Sequence, residues 1–134
     1  MKKLMVLFLL VFIASAVMAA AKPAPAAQVL SGTMVNGVRV ITVTAKKYEF
    51  IPNPVVVNMG EKVFLKITAT DVDHGIGIKE FKIDQKLPKG AEQTIGFTPD
   101  KAGTFTINCT EWCGLGHMAM KGKFIVLPAI KTLH

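Results

Sequence analysis

The residues best suited to chemistry lie in one short stretch near the C-terminus, Cys109-Thr-Glu-Trp-Cys113-Gly-Leu-Gly-His117-Met-Ala-Met120. Its twelve residues contain two thiols, one imidazole and two thioethers. Thiolate and thioether sulfurs are soft ligands, and together with imidazole they favour copper among the common biological metals. The two cysteines, His117 and Met120 already provide four candidate ligands, the number that fills a tetrahedral zinc site. A distant histidine would bring the total to five, and this surplus is a first indication of two metal ions.

This stretch resembles the ligand loop of the dinuclear copper centre, CuA, in subunit II of the haem-copper oxidases. The family loop reads Cys, x, Glu or Gln, x, Cys, three residues, His, two residues, Met, and every defining position is present here. Gly114 and Gly116 also agree with the usual Cys-Gly-x-Gly-His form. The resemblance covers roughly residues 40–127, which is most of the expected mature domain.

The resemblance implies a complete set of metal ligands: His74, Cys109, Glu111, Cys113, His117 and Met120. Within this set, the two cysteine sulfurs would bridge two copper ions, and each histidine would bind one of them. The methionine and the backbone carbonyl of the glutamate would be weak outer ligands. In the larger oxidases this glutamate also reaches a magnesium ion at the boundary with the catalytic subunit, and we do not carry that magnesium site over to this chain.

Two other interpretations of the cysteines remain open at the level of sequence. Two cysteines in an exported protein commonly form a disulfide, and a separation of four residues permits one. That interpretation leaves His117 and Met120 without a role. The second is a Cys2His2 zinc site that uses His74, which would not need the methionine.

Several neighbouring residues have more than one interpretation. Trp112 is either a lid that excludes water from the site or an aromatic group at a docking face. Met118 alternates with the ligands and is predicted to pack against apolar neighbours. Asp71 and Asp73 either hydrogen-bond His74 and order its loop or simply stabilise a turn.

The N-terminus has the composition of an export signal. Met1–Lys3 is basic, and an apolar run from Leu4 to Val17 is interrupted only by Ser15. Small residues suited to signal peptidase end at Ala21, so residues 1–21 are predicted to be a cleaved signal peptide. A single uncleaved membrane anchor is the alternative. Both interpretations place the following domain outside the cytoplasm, in the periplasm of a bacterium.

The remainder of the chain is predicted to be all-β. Residues 22–37 are expected to form a Pro/Ala linker and lead-in, residues 38–128 the domain, and residues 129–134 a tail. β-branched residues alternate from Val38, and Lys62–Thr70 places Val63 and every second residue to Ala69 inward. About seven short runs separated by turn signals predict an antiparallel Greek-key sandwich. The family resemblance implies the same architecture, the cupredoxin-like fold.

The fold would bring His74 to the cysteines, because it follows the Lys62–Thr70 strand in a loop at one end of the sandwich. Short strands are expected at Gly75–Ile78 and Glu80–Ile83, followed by a turn at Leu87–Gly90. The ligand stretch itself would be the loop that joins a strand ending at Cys109 to the last strand.

Charge and motifs narrow the partners. The net charge is +7, and loss of Lys2 and Lys3 with the leader leaves +5. The lysines are scattered and the chain is exported, so nucleic acid is not an expected partner. A basic domain instead favours a redox partner with an acidic face.

The function that follows is an exported CuA electron-transfer protein, expected to be a monomer that exchanges electrons with cytochrome c or an oxidase subunit. The sequence has no haem-attachment motif and no phosphate-binding loop, so catalysis is expected to belong to a partner, namely cytochrome c oxidase if the chain is a complex subunit. Contact with a membrane is expected only through an N-terminal anchor. The alternatives are a true subunit II of a terminal oxidase and a periplasmic copper-binding or delivery protein.

Overall fold

A computed structural model describes residues 28–129, so the predicted signal peptide or anchor lies outside the described residues. This range contains the strands β1 (Thr33–Val35), β2 (Val38–Lys46), β3 (Glu49–Ile51), β4 (Val55–Asn58), β5 (Val63–Ala69), β6 (His74–Ile78), β7 (Ile83–Leu87), β8 (Glu92–Phe97), β9 (Gly103–Asn108) and β10 (Lys121–Leu127). Two short 3₁₀ helices, Lys79–Phe81 and His117–Ala119, lie in the connections. None of the helices between residues 28 and 129 has the length and apolar character to cross a membrane.

The strands form two sheets that pack face to face, and the predicted all-β, cupredoxin-like sandwich is confirmed. One sheet has the order β1-β2-β5-β8, with β3 also paired to β2, and the other has the order β4-β10-β9-β6-β7. The expectation of purely antiparallel pairing is wrong for two neighbours, since β2 pairs with β5 and β4 with β10 in parallel. In each case intervening strands carry the chain back before the partner begins, as a parallel pair requires.

The core lies between the sheets and follows the period of two that a half-buried strand requires. In β5 the predicted inward set from Val63 to Ala69 is buried, and the residues between them are partly exposed. In β2 the inward positions include Ile41 and Val43. All five residues of β6 are buried, because this strand lies inside its sheet between β7 and β9.

Three local predictions differ from the structure. The sequence predicts no strand before Val38, yet β1 pairs with the start of β2. The segment Glu80–Ile83 is not a strand, because a 3₁₀ helix ends there and Lys82, at φ 54°, turns the chain into β7. His74 is not in a loop but is the first residue of β6 and is fully buried. Its place beside β9 explains how it approaches the cysteines.

Candidate metal centre

The ligand loop, residues 109–120, is closed at its base by two neighbouring strands. Cys109 follows β9 directly, and Met120 directly precedes β10. The backbone N–H of Cys109 donates to the carbonyl of Met120 at 3.2 Å, and the antiparallel pairing continues into Asn108 and Lys121. The first and last predicted ligands of the loop are therefore held side by side by the sheet.

Between these ends, the loop folds on itself through short-range hydrogen bonds. The N–H of His117 donates to the carbonyl of Gly114 at 3.0 Å, and the N–H of Met120 donates to the carbonyl of His117 at 3.1 Å. This 3₁₀ turn places Met120 inward, where 1% of it is exposed, while His117 remains half-buried.

The sulfur atoms form the middle of the site. The Sγ atoms of Cys109 and Cys113 are 3.5 Å apart, and both residues are free cysteines. The Sδ atom of Met120 lies 3.8 Å from Cys113 Sγ, and the carbonyl oxygen of Glu111 lies 3.2 Å from Cys109 Sγ. Two buried thiols thus face each other with a weaker donor beside each of them.

An imidazole lies at each end of the thiol pair. The Nδ1 atom of His74 is 3.8 Å from Cys109 Sγ, and the Nδ1 atom of His117 is 3.6 Å from Cys113 Sγ. Three donor atoms, those of His74 and the two cysteines, lie within 4.8 Å of one another. His117 is outside that group and meets the site from the Cys113 side.

Asp71 fixes the tautomer of His74. Its Oδ1 atom lies 2.7 Å from His74 Nε2, and its carboxylate also accepts the backbone N–H groups of Lys47 and Val72. Burial of the carboxyl opposes ionisation, but these hydrogen bonds outweigh it and lower the pKa of Asp71 to about 2. An ionised carboxylate can only accept, so Nε2 carries the proton and the Nδ1 lone pair faces Cys109.

Glycines in β6 allow the start of the ligand loop to lie against the strand that carries His74. A Cβ atom at Gly77 would lie 2.6 Å from Cγ2 of Thr110, and one at Gly75 would overlap Oγ1 of the same side chain. The Thr110 hydroxyl also donates to Asp84 Oδ1 of β7 at 2.8 Å. The residue after Cys109 is therefore fixed to both β6 and β7.

Burial keeps the thiols protonated when no metal is bound. Burial and the adjacent Cys109 thiol raise the pKa of Cys113 to about 11. Metal ions bind the thiolate form, so metal binding must release a proton from this group and will be weaker at low pH.

The outer face of the loop is apolar and exposed. Trp112 is 69% exposed and Leu115 is 97% exposed. Met118 is 78% exposed, so the prediction that it packs against apolar neighbours is wrong; the 3₁₀ turn that buries Met120 directs Met118 outward. The Trp112 ring centroid lies 5.6 Å from that of His117. Its exposure favours the docking-face interpretation over the lid.

The predicted ligand set is thus brought together from two separate elements. Five side chains and the Glu111 carbonyl converge, whereas the Glu111 carboxylate points away and lies 4.0 Å from Lys86 Nζ. A zinc ion would need four of these donors and leave the remainder unused. Two thiols, two imidazole nitrogens and a thioether are soft and borderline donors, a set that fits copper.

Comparisons with known proteins agree with this geometry. A family model described as a cupredoxin-like domain matches residues 4–126, and the chain belongs to this family. More narrowly, it is similar to cytochrome c oxidase subunit 2 of Thermus thermophilus, with 34% identity over 86 residues and a match covering 64% of each chain. A second subunit 2, from another strain of the same species, is also 34% identical over 86 residues, covering 64% of this chain and 51% of that protein.

The chain therefore spans less than two thirds of the length of these relatives. The solved periplasmic domain of cytochrome oxidase subunit II from Bradyrhizobium japonicum superimposes with a TM-score of 0.62 and 21% identity, covering 67% of this chain and 84% of that domain. This likeness shows the fold. The family resemblance that the ligand loop predicted is confirmed.

Proposed function

We propose that the protein is an exported electron carrier with a dinuclear copper centre of the CuA type. The observation that carries the proposal is the pair of buried thiols, 3.5 Å apart, with the Nδ1 atom of a different histidine near each sulfur. One ion would use one end of this arrangement, and two ions use both. The relatives named as oxidase subunit 2 support the same assignment.

The residues that would hold the two ions are His74, Cys109, Glu111 through its carbonyl, Cys113, His117 and Met120. When bound, the copper pair supplies reversible one-electron oxidation and reduction. The chain's own part is to hold the donors still, so that little rearrangement accompanies the change of charge. The sheet anchors both ends of the loop, and burial keeps water from the sulfur atoms.

The chain itself is proposed to carry electrons without catalysing a reaction of its own. The exposed apolar face around Trp112 offers a redox protein a short approach to His117. We propose a partner of the cytochrome c or oxidase-subunit type, met outside the cytoplasm, where the relative's periplasmic domain also lies. In an oxidase complex, the reduction of oxygen would belong to the catalytic subunit.

The second candidate function is that of a resident subunit II in a terminal oxidase. The similarity to oxidase subunit 2 favours it, but the match covers only part of those proteins. Copurification of the native protein with a haem-containing subunit would establish this alternative. Recovery of a free copper protein would support the separate carrier.

The first test is copper stoichiometry and electron paramagnetic resonance of the reduced, copper-loaded and partly oxidised protein. We expect two coppers per chain sharing one unpaired electron. Cys113→Ser should abolish this signal, because a hydroxyl does not bridge as a thiolate does. Met118→Leu, which alters an exposed sulfur of the same loop, should leave it unchanged.

One copper with ordinary hyperfine splitting would contradict the proposal and favour a copper-binding or delivery protein. Retention of zinc, or a disulfide between the cysteines, would contradict any copper function.

A further inference from the structure

Tyr48 contacts the ligand loop from a different part of the chain. It lies in the turn between β2 and β3, and 37% of it is exposed. A Cβ atom built on Gly114 would lie 2.6 Å from the Tyr48 hydroxyl oxygen, and one on Gly116 would lie 2.6 Å from Cγ of the ring. At both glycines, the three nearest atoms all belong to Tyr48. The ring therefore packs directly on the backbone between Cys113 and His117.

The two glycines are suited to this contact. Any side chain at Gly116 would overlap the ring, and Gly114 also has a φ of +128°, which side chains rarely tolerate. The loop backbone can consequently approach the ring more closely than any other residue type would permit.

The residue before Tyr48 connects the same turn to the other histidine. The backbone N–H of Lys47 donates to Asp71 Oδ2 at 2.7 Å, and Asp71 Oδ1 accepts the proton of His74 Nε2 at 2.7 Å. One turn thus contacts both ends of the site, His74 through a carboxylate and the His117 segment through an aromatic ring. Neither Lys47 nor Tyr48 offers a donor atom to the thiol pair.

We propose that Tyr48 is a positioning residue for the metal centre, which holds the Gly114–Gly116 segment and thereby sets the place of His117 relative to Cys113. The half-buried His117 has no carboxylate partner like that of His74 in the part of the chain that the structure describes. Its position depends instead on the backbone of the loop, and the Tyr48 ring restrains that backbone. This inference deepens the proposed copper function, but its first readout does not require copper.

The test compares Tyr48→Ala, which removes the ring, with Tyr48→Phe, which retains it. Ile51→Ala is the matched control, because Ile51 is a large apolar residue of the same hairpin with a similar exposure of 41%. In the metal-free protein, amide hydrogen exchange is measured at Cys109 and Met120, whose N–H groups close the loop. In the copper-loaded protein, the reduction potential is measured by voltammetry.

We expect Tyr48→Ala to speed exchange at the loop amides about tenfold, because local opening no longer breaks the ring contact. Amides of β5 should keep their protection, and the reduction potential should shift. Tyr48→Phe and Ile51→Ala should both resemble the wild type. Unchanged loop exchange in Tyr48→Ala, or equal effects in Ile51→Ala, would overturn the proposal.

If Tyr48→Ala also exposes the β5 amides, Gly116→Ala tests the same contact from the loop side. Local acceleration of exchange in that variant supports the proposal, and its absence overturns it. A wild-type protein that binds no copper would contradict the proposed function alone, since the exchange comparison still tests the role of Tyr48.

Discussion

The two histidines of the site are held in different ways. His74 is fully buried, and its ring orientation is fixed by the Asp71 carboxylate. His117 is half-buried, and the exposed ring of Trp112 lies beside it. The site therefore has a closed end at His74 and an end that approaches solvent at His117. Electron exchange with a partner is expected at the His117 end, where the distance to the surface is shortest.

Met120 belongs to the closed interior, and its replacement should change the reduction potential more than the copper content. We expect Met120→Leu to retain both coppers and to raise the potential. A weak axial thioether tunes the metal more than it binds it, and an apolar replacement disfavours the more highly charged oxidised state. The exchange of Met for Leu conserves volume and should cost less than about 1.5 kcal/mol of stability.

Voltammetry and metal analysis of Met120→Leu would check this expectation. Met118→Leu is the control, since its exposed thioether faces away from the site. An unchanged potential, or the loss of copper, would argue against a tuning role for Met120.

The sequence predicted the donors better than it predicted their supports. The spacing within residues 109–120 is local, so a resemblance of motif was enough to single out the loop and, with it, His74. The role of Asp71 remained open, because a carboxylate near a turn has simpler uses. Tyr48 gave no signal at all, since its contact with Gly114 and Gly116 exists only once β2 and β3 are placed beside the loop.

At the scale of elements, the site depends on the close packing of the ligand loop on β6. The structure places Thr110 against Gly75 and Gly77, so the strand that carries His74 and the loop that carries the cysteines meet without intervening side chains. Proteins are packed densely enough that one added methyl group in such a contact displaces its neighbours.

Gly77→Ala should therefore destabilise the protein by about 1–3 kcal/mol through overpacking and weaken copper binding. Its added Cβ would lie 2.6 Å from Thr110 Cγ2. Thr110→Ser removes that methyl group and keeps a hydroxyl that can donate to Asp84. The double variant should recover much of the stability lost in Gly77→Ala, measured by urea unfolding of the metal-free protein.

Additive losses in the double variant would mean that the Gly77–Thr110 contact does not carry the effect. Gly75 is less suitable for this design, because a Cβ there would also lie 2.8 Å from the backbone nitrogen of Glu111. No change of the threonine side chain can relieve a contact with the backbone.

Strands were easier to predict than their pairing. Alternation along β2 and β5 reflects one buried face, which a sequence displays directly. Their parallel pairing depends on the return path of the chain through β3 and β4, which alternation does not encode. The segment after β6 has the composition of a strand because it is short and partly apolar, but Lys82 adopts a left-handed conformation that the residue type does not announce.

At the scale of the whole molecule, a salt bridge joins elements far from the copper site. Arg39 lies near the start of β2, a strand of nine residues or about 30 Å, whereas Lys47 follows its other end. The Arg39 guanidinium donates to both oxygens of Glu61, at 2.7 and 2.9 Å, and to the carbonyl of Ser31 at 3.0 Å. Both charged side chains are largely buried.

This pair should make stability depend on pH. The Arg39 hydrogen bond, opposed by burial, lowers the pKa of Glu61 from its ordinary 4.5. The folded state thus favours the carboxylate, so the contribution is complete above pH 4.5 and is lost as the pH falls through the lower folded pKa. Glu61→Gln should cost about 3 kcal/mol at pH 7 and flatten the acid limb of the stability profile.

Glu49→Gln provides the control for Glu61, because Glu49 forms an exposed pair with Lys46 at 3.1 Å. Such a pair contributes about 0.2–1 kcal/mol, and its loss should leave the acid limb almost unchanged. Urea unfolding of the metal-free variants from pH 7 to pH 3 separates the two cases. Equal effects of both variants would contradict a special role for the Arg39–Glu61 pair.

The net charge of the molecule predicts how it meets its partner. The chain has a net charge of +7, and electrostatic attraction to an acidic face raises association rates at low salt. Salt screens this attraction over about 8 Å at physiological ionic strength, so stopped-flow electron-transfer rates should fall as salt is added. Lys47→Glu, beside the loop contact of Tyr48, should reduce both the rate and its salt dependence.

Lys101→Glu makes the same charge change beyond the other end of the sandwich, in the connection whose Pro99 carbonyl accepts the N–H of Gly60. It should affect the rate much less, because its separation from the ligand loop exceeds the screening distance. Equal effects of the two variants would show that net charge alone governs association and that the partner does not dock at the copper end. A rate that is flat or rises with salt would contradict an acidic partner, and docking would then depend on the exposed apolar face around Trp112.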